Sequence, residues 1–272
     1  PARHTALVLW GHGGGWRSRP RGPGNRAFAF DEHGSAEGIS ISRGDLGRAL
    51  LGIVASLGGQ RIDVLGFDAC RMGMWEVAVA TAPYADVLVA SSEDEPLGGW
   101  SYLGPLRALR AAPETDPFDL AAALVEAYAS ESSLHFTLAA TDLGAMDAVT
   151  AAVDGLAGAL VEHPEAFADV EAVRLAAQGF GDPDVRDLGD LARRISAIEG
   201  APSDVVAAAD LVARELSLAL IESRSQPSHP DASGLSVYLP GRGAGMDSDY
   251  AAPAAPWSST RWDELLAAFT DG

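Results

Sequence analysis

The 272-residue chain has no lysine, a single cysteine, few aromatic residues, and half as many basic as acidic side chains, 19 Arg against 38 Asp and Glu. Each shortage narrows the field. One cysteine, Cys70, cannot close an internal disulfide, so the redox compartment stays open and the thiol is either inert filling or chemistry. A formal charge of -19 repels phosphate backbones and anionic lipid and attracts cations, so neither nucleic acid nor a membrane is an expected partner. No uninterrupted apolar run approaches the roughly 20 residues that cross a bilayer. The lone cysteine and scattered histidines supply none of the usual zinc spacings, and the acidic loops show no ordered helix-loop-helix calcium series, so no metal site is expected. The missing lysine is a compositional habit of GC-rich coding and carries no functional meaning.

What is present is ordinary for a folded globular chain, 47% apolar and 21% charged, and long enough for one large or two small domains. Three apolar runs, at residues 6–10, 62–67 and 87–90, are bounded by turn residues or charges and read as strands buried on both faces. Helical patterns lie between them, at 43–57, led by Ser42 as a cap, and at 72–81, stopped before Pro83. Strand and helix in repetition predict an α/β fold, a parallel sheet with right-handed crossovers. Downstream the pattern predicts a strand at 135–140, an Ala-rich helical region at 145–177, helices at 188–198 and 203–221, a short strand at 234–239 and a terminal helix at 262–269. The Arg-, Gly- and Pro-rich segment 16–27, WRSRPRGPGNRA, reads as an exposed loop. With no repeat and no linker, the expected organisation is one domain over 1–272 with a helical addition at 142–222.

In open parallel sheets the C-terminal ends of the strands line the ligand crevice, because the loops there vary while the strands stay rigid. The first strand leaves through Gly11-His12-Gly13, the second through Asp68-Ala69-Cys70, and the third through Ser91-Ser92-Glu93-Asp94-Glu95. A base, a thiol and carboxylates share one rim. A thiol attacks as thiolate and gains from a nearby imidazole, which His12 can supply. With no side chain at Gly13, its N–H can approach a substrate carbonyl oxygen and stabilise an oxyanion, with the Cys70 N–H as second donor. Asp68, two residues before Cys70, projects to the same side; its charge opposes thiol ionisation but suits the base of a pocket for an Arg or Lys side chain. Glu93, Asp94 or Glu95 would deepen that negative field. Taken singly, each residue also has a plain reading. His12 reads as a hydrogen-bonded strand-end ring, Cys70 as a small buried hydrophobe, and Asp68 as a helix cap. Only the joint placement points to chemistry. His4, His33, His135, His163 and His229 read as structural or solvent-facing.

At these residues the sequence resembles the clostripain family of cysteine peptidases. ALVLWGHGGGW is similar to the family's histidine strand, DVLGFDACRMGMWEVA to its nucleophile strand and the following helix, and DVLVASSEDEPLGGWSY to the next strand and loop. Weaker matches continue in FTLAATDLGAMDAV, VRDLGDLARRI and DASGLSVYLP. The resemblance implies a caspase-like three-layer sandwich with a mostly parallel central sheet and a helical C-terminal addition. It implies His12 and Cys70 as the catalytic dyad of an endopeptidase working through a thioester, polypeptide substrates cut after Arg or Lys, and Asp68 as the pocket acid. Family members are often secreted, need no cofactor although some respond to calcium, and are activated by cutting themselves between the two motifs. Arg17, Arg19, Arg21 and Arg26 are then the candidate cut sites, with Arg26, beyond the Pro-rich part, the choice. Relatives carry further strands ahead of the histidine strand, so the expected sheet lacks its upstream strands.

Two other readings stay open. HGGG also occurs as the oxyanion loop of α/β-hydrolase esterases. That fold wants glycines two residues either side of its nucleophile, where Cys70 has Asp68 and Met72, and a late histidine, which here is His229. The third reading is a caspase-like module that binds basic peptides without cutting them.

Overall fold

The computed structural model describes residues 2–17, 28–29, 38–131 and 136–271. In chain order the strands are β1 (Ala6–Trp10), β2 (Ile62–Asp68), β3 (Ala85–Ala90), β4 (Thr137–Asp142), β5 (Val185–Asp187), β6 (Leu220–Ser225) and β7 (Ser236–Tyr238). The helices are α1 (Asp45–Ser56), α2 (Trp75–Thr81), α3 (Leu103–Ala111), α4 (Pro117–Glu131), α5 (Met146–Glu162), α6 (Phe167–Ala176), α7 (Leu188–Ser196), α8 (Ser203–Ala219) and α9 (Trp262–Thr270). Five strands form one sheet in the order β1-β2-β3-β4-β6. The pairs β1–β2 and β2–β3 are parallel and the pairs β3–β4 and β4–β6 antiparallel, so four of the five strands run one way, a mostly parallel sheet as expected. β4 is the exception; the chain reaches it from β3 through two helices, α3 and α4, instead of one.

The period-two alternation of the central strands divides the core. Leu65, Phe67, Leu88 and Ala90 face a layer that contains Leu46 and Leu50 of α1, Trp75 of α2, Val149 and Leu156 of α5 and Val212 of α8. Val64, Val87 and Val89 face the other way, onto Ala121, Leu124, Val125 and Tyr128 of α4 and onto Trp100. Those α4 residues fall at helical spacing, one face of one helix. Gly66 in β2 admits the Trp100 ring, since a Cβ there would come within 2.8 Å of it. Each fully buried Leu or Phe of these strands contributes about 1.5–3 kcal/mol relative to exposure.

The sequence reading differs from the fold at definable places. The Ala-rich region is two helices, α5 and α6, parted at His163-Pro164, where the proline opens a short 3-10 turn, Pro164–Ala166. α8 ends at Ala219 and the chain enters β6 directly, an edge strand paired with β4. β7 pairs with β5 in a separate two-stranded sheet. Ser42 does not cap α1, which starts after Gly44 at φ 73°; instead the Arg43 N–H donates to Ser40 Oγ at 3.1 Å. Leu143–Glu162 is long and apolar enough to cross a membrane by length and composition. Val149, Val153, Leu156 and Leu160 of that stretch are buried in the core described above.

Candidate active site

The register of the two central parallel strands builds the site. Trp10 at the end of β1 is paired with Asp68 at the end of β2, and Gly11 N–H extends the ladder to the Asp68 carbonyl at 3.3 Å. Two residues further along each chain stand His12 and Cys70. Both line one cavity of about 270 Å³ together with Asp68 and Glu95, and Trp10 and Leu97, 71% and 94% exposed, form an apolar rim. Gly13 makes the approach possible, because a Cβ there would overlap the Cys70 carbonyl oxygen. Neither the Gly13 nor the Cys70 N–H donates to another group among the described residues.

Cys70 sits at the head of a tight turn. The next residue, Arg71, has φ 59°, a left-handed conformation that costs a non-glycine residue about 1–3 kcal/mol and persists only where the surroundings impose it. Here they do. Arg71 N–H donates to the Glu93 carbonyl at 3.1 Å, its guanidinium holds Asp94 through two bonds of 2.7 Å, and Gly73 N–H donates to the Ser91 carbonyl at 2.6 Å. The segment after β3 thus clamps the turn after β2. It also touches the sulfur, for Glu95 N–H donates to Sγ at 3.3 Å and the thiol faces the Glu95 carbonyl at 3.8 Å. Burial pushes the thiol above its ordinary value, the Glu95 N–H pulls it down, and the charges of Asp94 and Glu95 push it up again. The resting sulfur is therefore a thiol that needs a base.

The inner end of the cavity is acidic. Asp68, 3% exposed, accepts from Trp100 N–H at 3.1 Å and from the Tyr102 hydroxyl at 2.5 Å. Glu95 Oε1 accepts from the Trp100 indole N–H at 3.0 Å, while its Oε2 is buried with no hydrogen-bond partner. Burial holds the Glu95 carboxyl well above the usual carboxylate range; the indole bond pulls it down, and the neighbouring Asp68 carboxylate raises it further. Burial and then Asp68 likewise raise the Tyr102 phenol. The Tyr128 hydroxyl is also buried without a partner, raised by burial and then by the charges of Glu95, Asp68 and Cys70.

Of the four acids read from the sequence as pocket residues, Asp68 and Glu95 line the cavity and Glu93 and Asp94 do not. Both of these carboxylates are already engaged elsewhere. Asp94 holds Arg71, and Glu93 accepts from Gly181 N–H at 3.1 Å and lies 3.0 Å from His229 Nε2. His229, stacked on Phe180 at 5.8 Å, is thus committed to Glu93 and is not in the cavity, where the esterase reading needs it. His4 pairs with Asp63, and His163 with Glu165 and Asp204. Arg17, one of the candidate cut sites, is 4% exposed and held by Asp182 and Asp184, with Asp247 at 3.9 Å, so its peptide is not presented for cutting. Arg19, Arg21, Arg26, His33 and His135 lie outside the described residues. Trp100, Tyr102 and Tyr128 are the site residues that sequence reasoning missed. No helix is expected at 117–131 from the sequence; the spacing of Ala121, Leu124, Val125 and Tyr128 is the signal that would have shown their shared face, and nothing in the sequence ties that face to Asp68.

Among the described residues no group of three His, Cys, Asp or Glu side chains is arranged to hold a metal ion. The three carboxylates that do converge, Asp182, Asp184 and Asp247, meet the Arg17 guanidinium.

No curated protein matches this sequence. The chain is similar to solved structures of C11 proteases. A secreted C11 cysteine protease from Bacteroides thetaiotaomicron, in complex with an irreversible peptide inhibitor, aligns with TM-score 0.66 at 19% identity over 97% of this chain and 74% of that one. An inactive zymogen C11 protease from Parabacteroides distasonis aligns with TM-score 0.58 at 20% identity over 98% and 71%. These likenesses carry the caspase-like fold. The model of the clostripain family matches residues 1–212, and the chain accordingly belongs to that family of cysteine peptidases.

Proposed function

We propose that the protein is an endopeptidase that cuts after Arg or Lys with Cys70 as nucleophile and His12 as its base. The observation that carries this reading is the shared cavity, in which thiol, imidazole and the buried Asp68 carboxylate lie together at the ends of two paired strands. The Cys70 thiol gives its proton to His12 as Sγ bonds to the substrate carbonyl carbon. The N–H groups of Gly13 and Cys70, which have no other acceptor among the described residues, receive the oxyanion. The tetrahedral adduct collapses to a thioester as the His12 imidazolium protonates the leaving amine. Water, deprotonated by His12, then releases the acid and restores the thiol. Asp68, with Glu95 beside it, receives the basic side chain ahead of the cut bond.

Self-activation at Arg26 belongs to the same proposal. The chain is anchored on both sides of the segment that contains it, by the buried Arg17 and by Phe28 bridged to Ile39, and the similar Parabacteroides protein is described as an inactive zymogen. The test is labelling by a peptidyl electrophile that ends in arginine, followed by mass spectrometry. The parent chain takes up one label on Cys70, Cys70→Ala and His12→Ala take up none, and Arg26→Ala removes cleavage within the loop. Equal turnover of an arginyl substrate by the Cys70→Ala and His12→Ala proteins refutes the assignment.

A further inference from the structure

The acidic end of the cavity holds two carboxyl groups where one is enough to recognise a cation, and their surroundings differ. Asp68 receives two donors, the Trp100 N–H and the Tyr102 hydroxyl. Glu95, which lines the same cavity, receives one, the Trp100 indole, and its other oxygen is buried with no donor. Two adjacent buried carboxylates repel strongly, so such a pair holds one proton between them. We infer that Asp68 and Glu95 share a proton while the pocket is empty, and that an arginyl guanidinium or lysyl ammonium binds by displacing it. The inference rests on the proposed preference for basic residues and adds a chemical step to it. On binding, the carboxylic acid of the pair loses its proton to solvent, the cation takes its place between two carboxylates, and the orphan Oε2 gains a donor.

The raised Glu95 carboxyl and the neutral Tyr102 and Tyr128 phenols around it agree with this arrangement. The other titratable groups that face the pair are the Cys70 thiol, held to the Glu95 main chain, and His12 across the cavity; Asp94 and Arg71 lie behind them as a closed ion pair. His12 is a second proton acceptor in the same cavity, so the test must separate it from Glu95.

The measurement is calorimetric binding of a blocked arginine-terminated peptide amide to the Cys70→Ala protein, from about pH 5 to about pH 8, in two buffers of different ionisation enthalpy. One proton is released per peptide on the acidic side, and the association constant climbs about tenfold per pH unit until the pair is fully ionised. In Cys70→Ala with Glu95→Gln the release and the slope vanish while the peptide still binds. A slope that survives Glu95→Gln assigns the proton to His12 and overturns the inference with the basic preference intact. Failure of the Cys70→Ala protein to bind the arginyl peptide at every pH overturns both. Infrared difference spectroscopy on the parent chain is independent of how the variant folds. The C=O band of a protonated carboxylic acid disappears when the peptide is added, and a spectrum without that loss overturns the inference.

Discussion

Replacing Gly13 by alanine tests the proposed alignment of base and nucleophile most directly. A Cβ at this position meets the Cys70 carbonyl oxygen and lies 3.1 Å from Ala69 Cβ. Real Cβ atoms essentially never approach another heavy atom within 3.0 Å, and this one falls inside that limit by about 1 Å, so one of the two backbones must move by that much. Neither obstacle is the free end of a flexible side chain. The displacement falls on the step that separates His12 from Cys70, and an error of that size between reacting groups costs about 100-fold in rate, or about 3 kcal/mol of transition-state stabilisation. The assay is kcat/KM on an arginyl peptide, with a thermal melt to confirm that Gly13→Ala is folded. Gly98→Ala, in the loop beyond the pocket where an added Cβ meets nothing within 4 Å, serves as control and keeps the parent rate. If Gly13→Ala also cuts at the parent rate, close packing of the glycine against the nucleophile turn is not what sets the geometry.

Asp68→Asn removes the charge of the pocket acid and leaves its shape; kcat/KM for arginyl substrates falls roughly 100-fold, with little change for an uncharged residue at the same place, as a peptide panel will show. Arg17→Gln leaves Asp182 and Asp184 without their cation and lowers stability by about 3–5 kcal/mol, measured by denaturant titration. Glu76 is fully buried, accepts from Tyr238 N–H and the Tyr250 hydroxyl, and is pushed by burial from its ordinary 4.5 to about 7. Its contribution to stability is fully present below the unfolded value of 4.5 and is lost as pH rises through about 7, a decline of about 3 kcal/mol. Glu76→Gln therefore flattens the fall in melting temperature over that window, and an unchanged profile contradicts the assignment.

The strands that carry His12 and Cys70 were legible because strands buried on both faces read as unbroken apolar runs, and their chemical residues follow at once. β6 was not, because Leu220–Ser225 is an edge strand whose Glu222 and Arg224 break the apolar signal and whose start continues the register of α8. The reversal of β4 has no sequence signature of its own, since direction follows from the connection and not from the strand. In the site, composition marked Glu93, Asp94 and Glu95 as a group but could not tell which one faces inward. That choice depends on the φ of Arg71 and on the partners Asp94, Glu93 and Glu95 find, residues distant from them in the chain.

Glycine would adopt the conformation at residue 71 without strain, yet the chain keeps an arginine there, because only a side chain can reach across to Asp94. One short loop is thereby divided in labour. Asp94 braces the turn behind the sulfur from outside, and Glu95 lines the cavity from within. On the proposed function, a change of the side chain at 95 alters which residue is accepted, whereas a change at 94 loosens the nucleophile turn and disturbs every substrate alike.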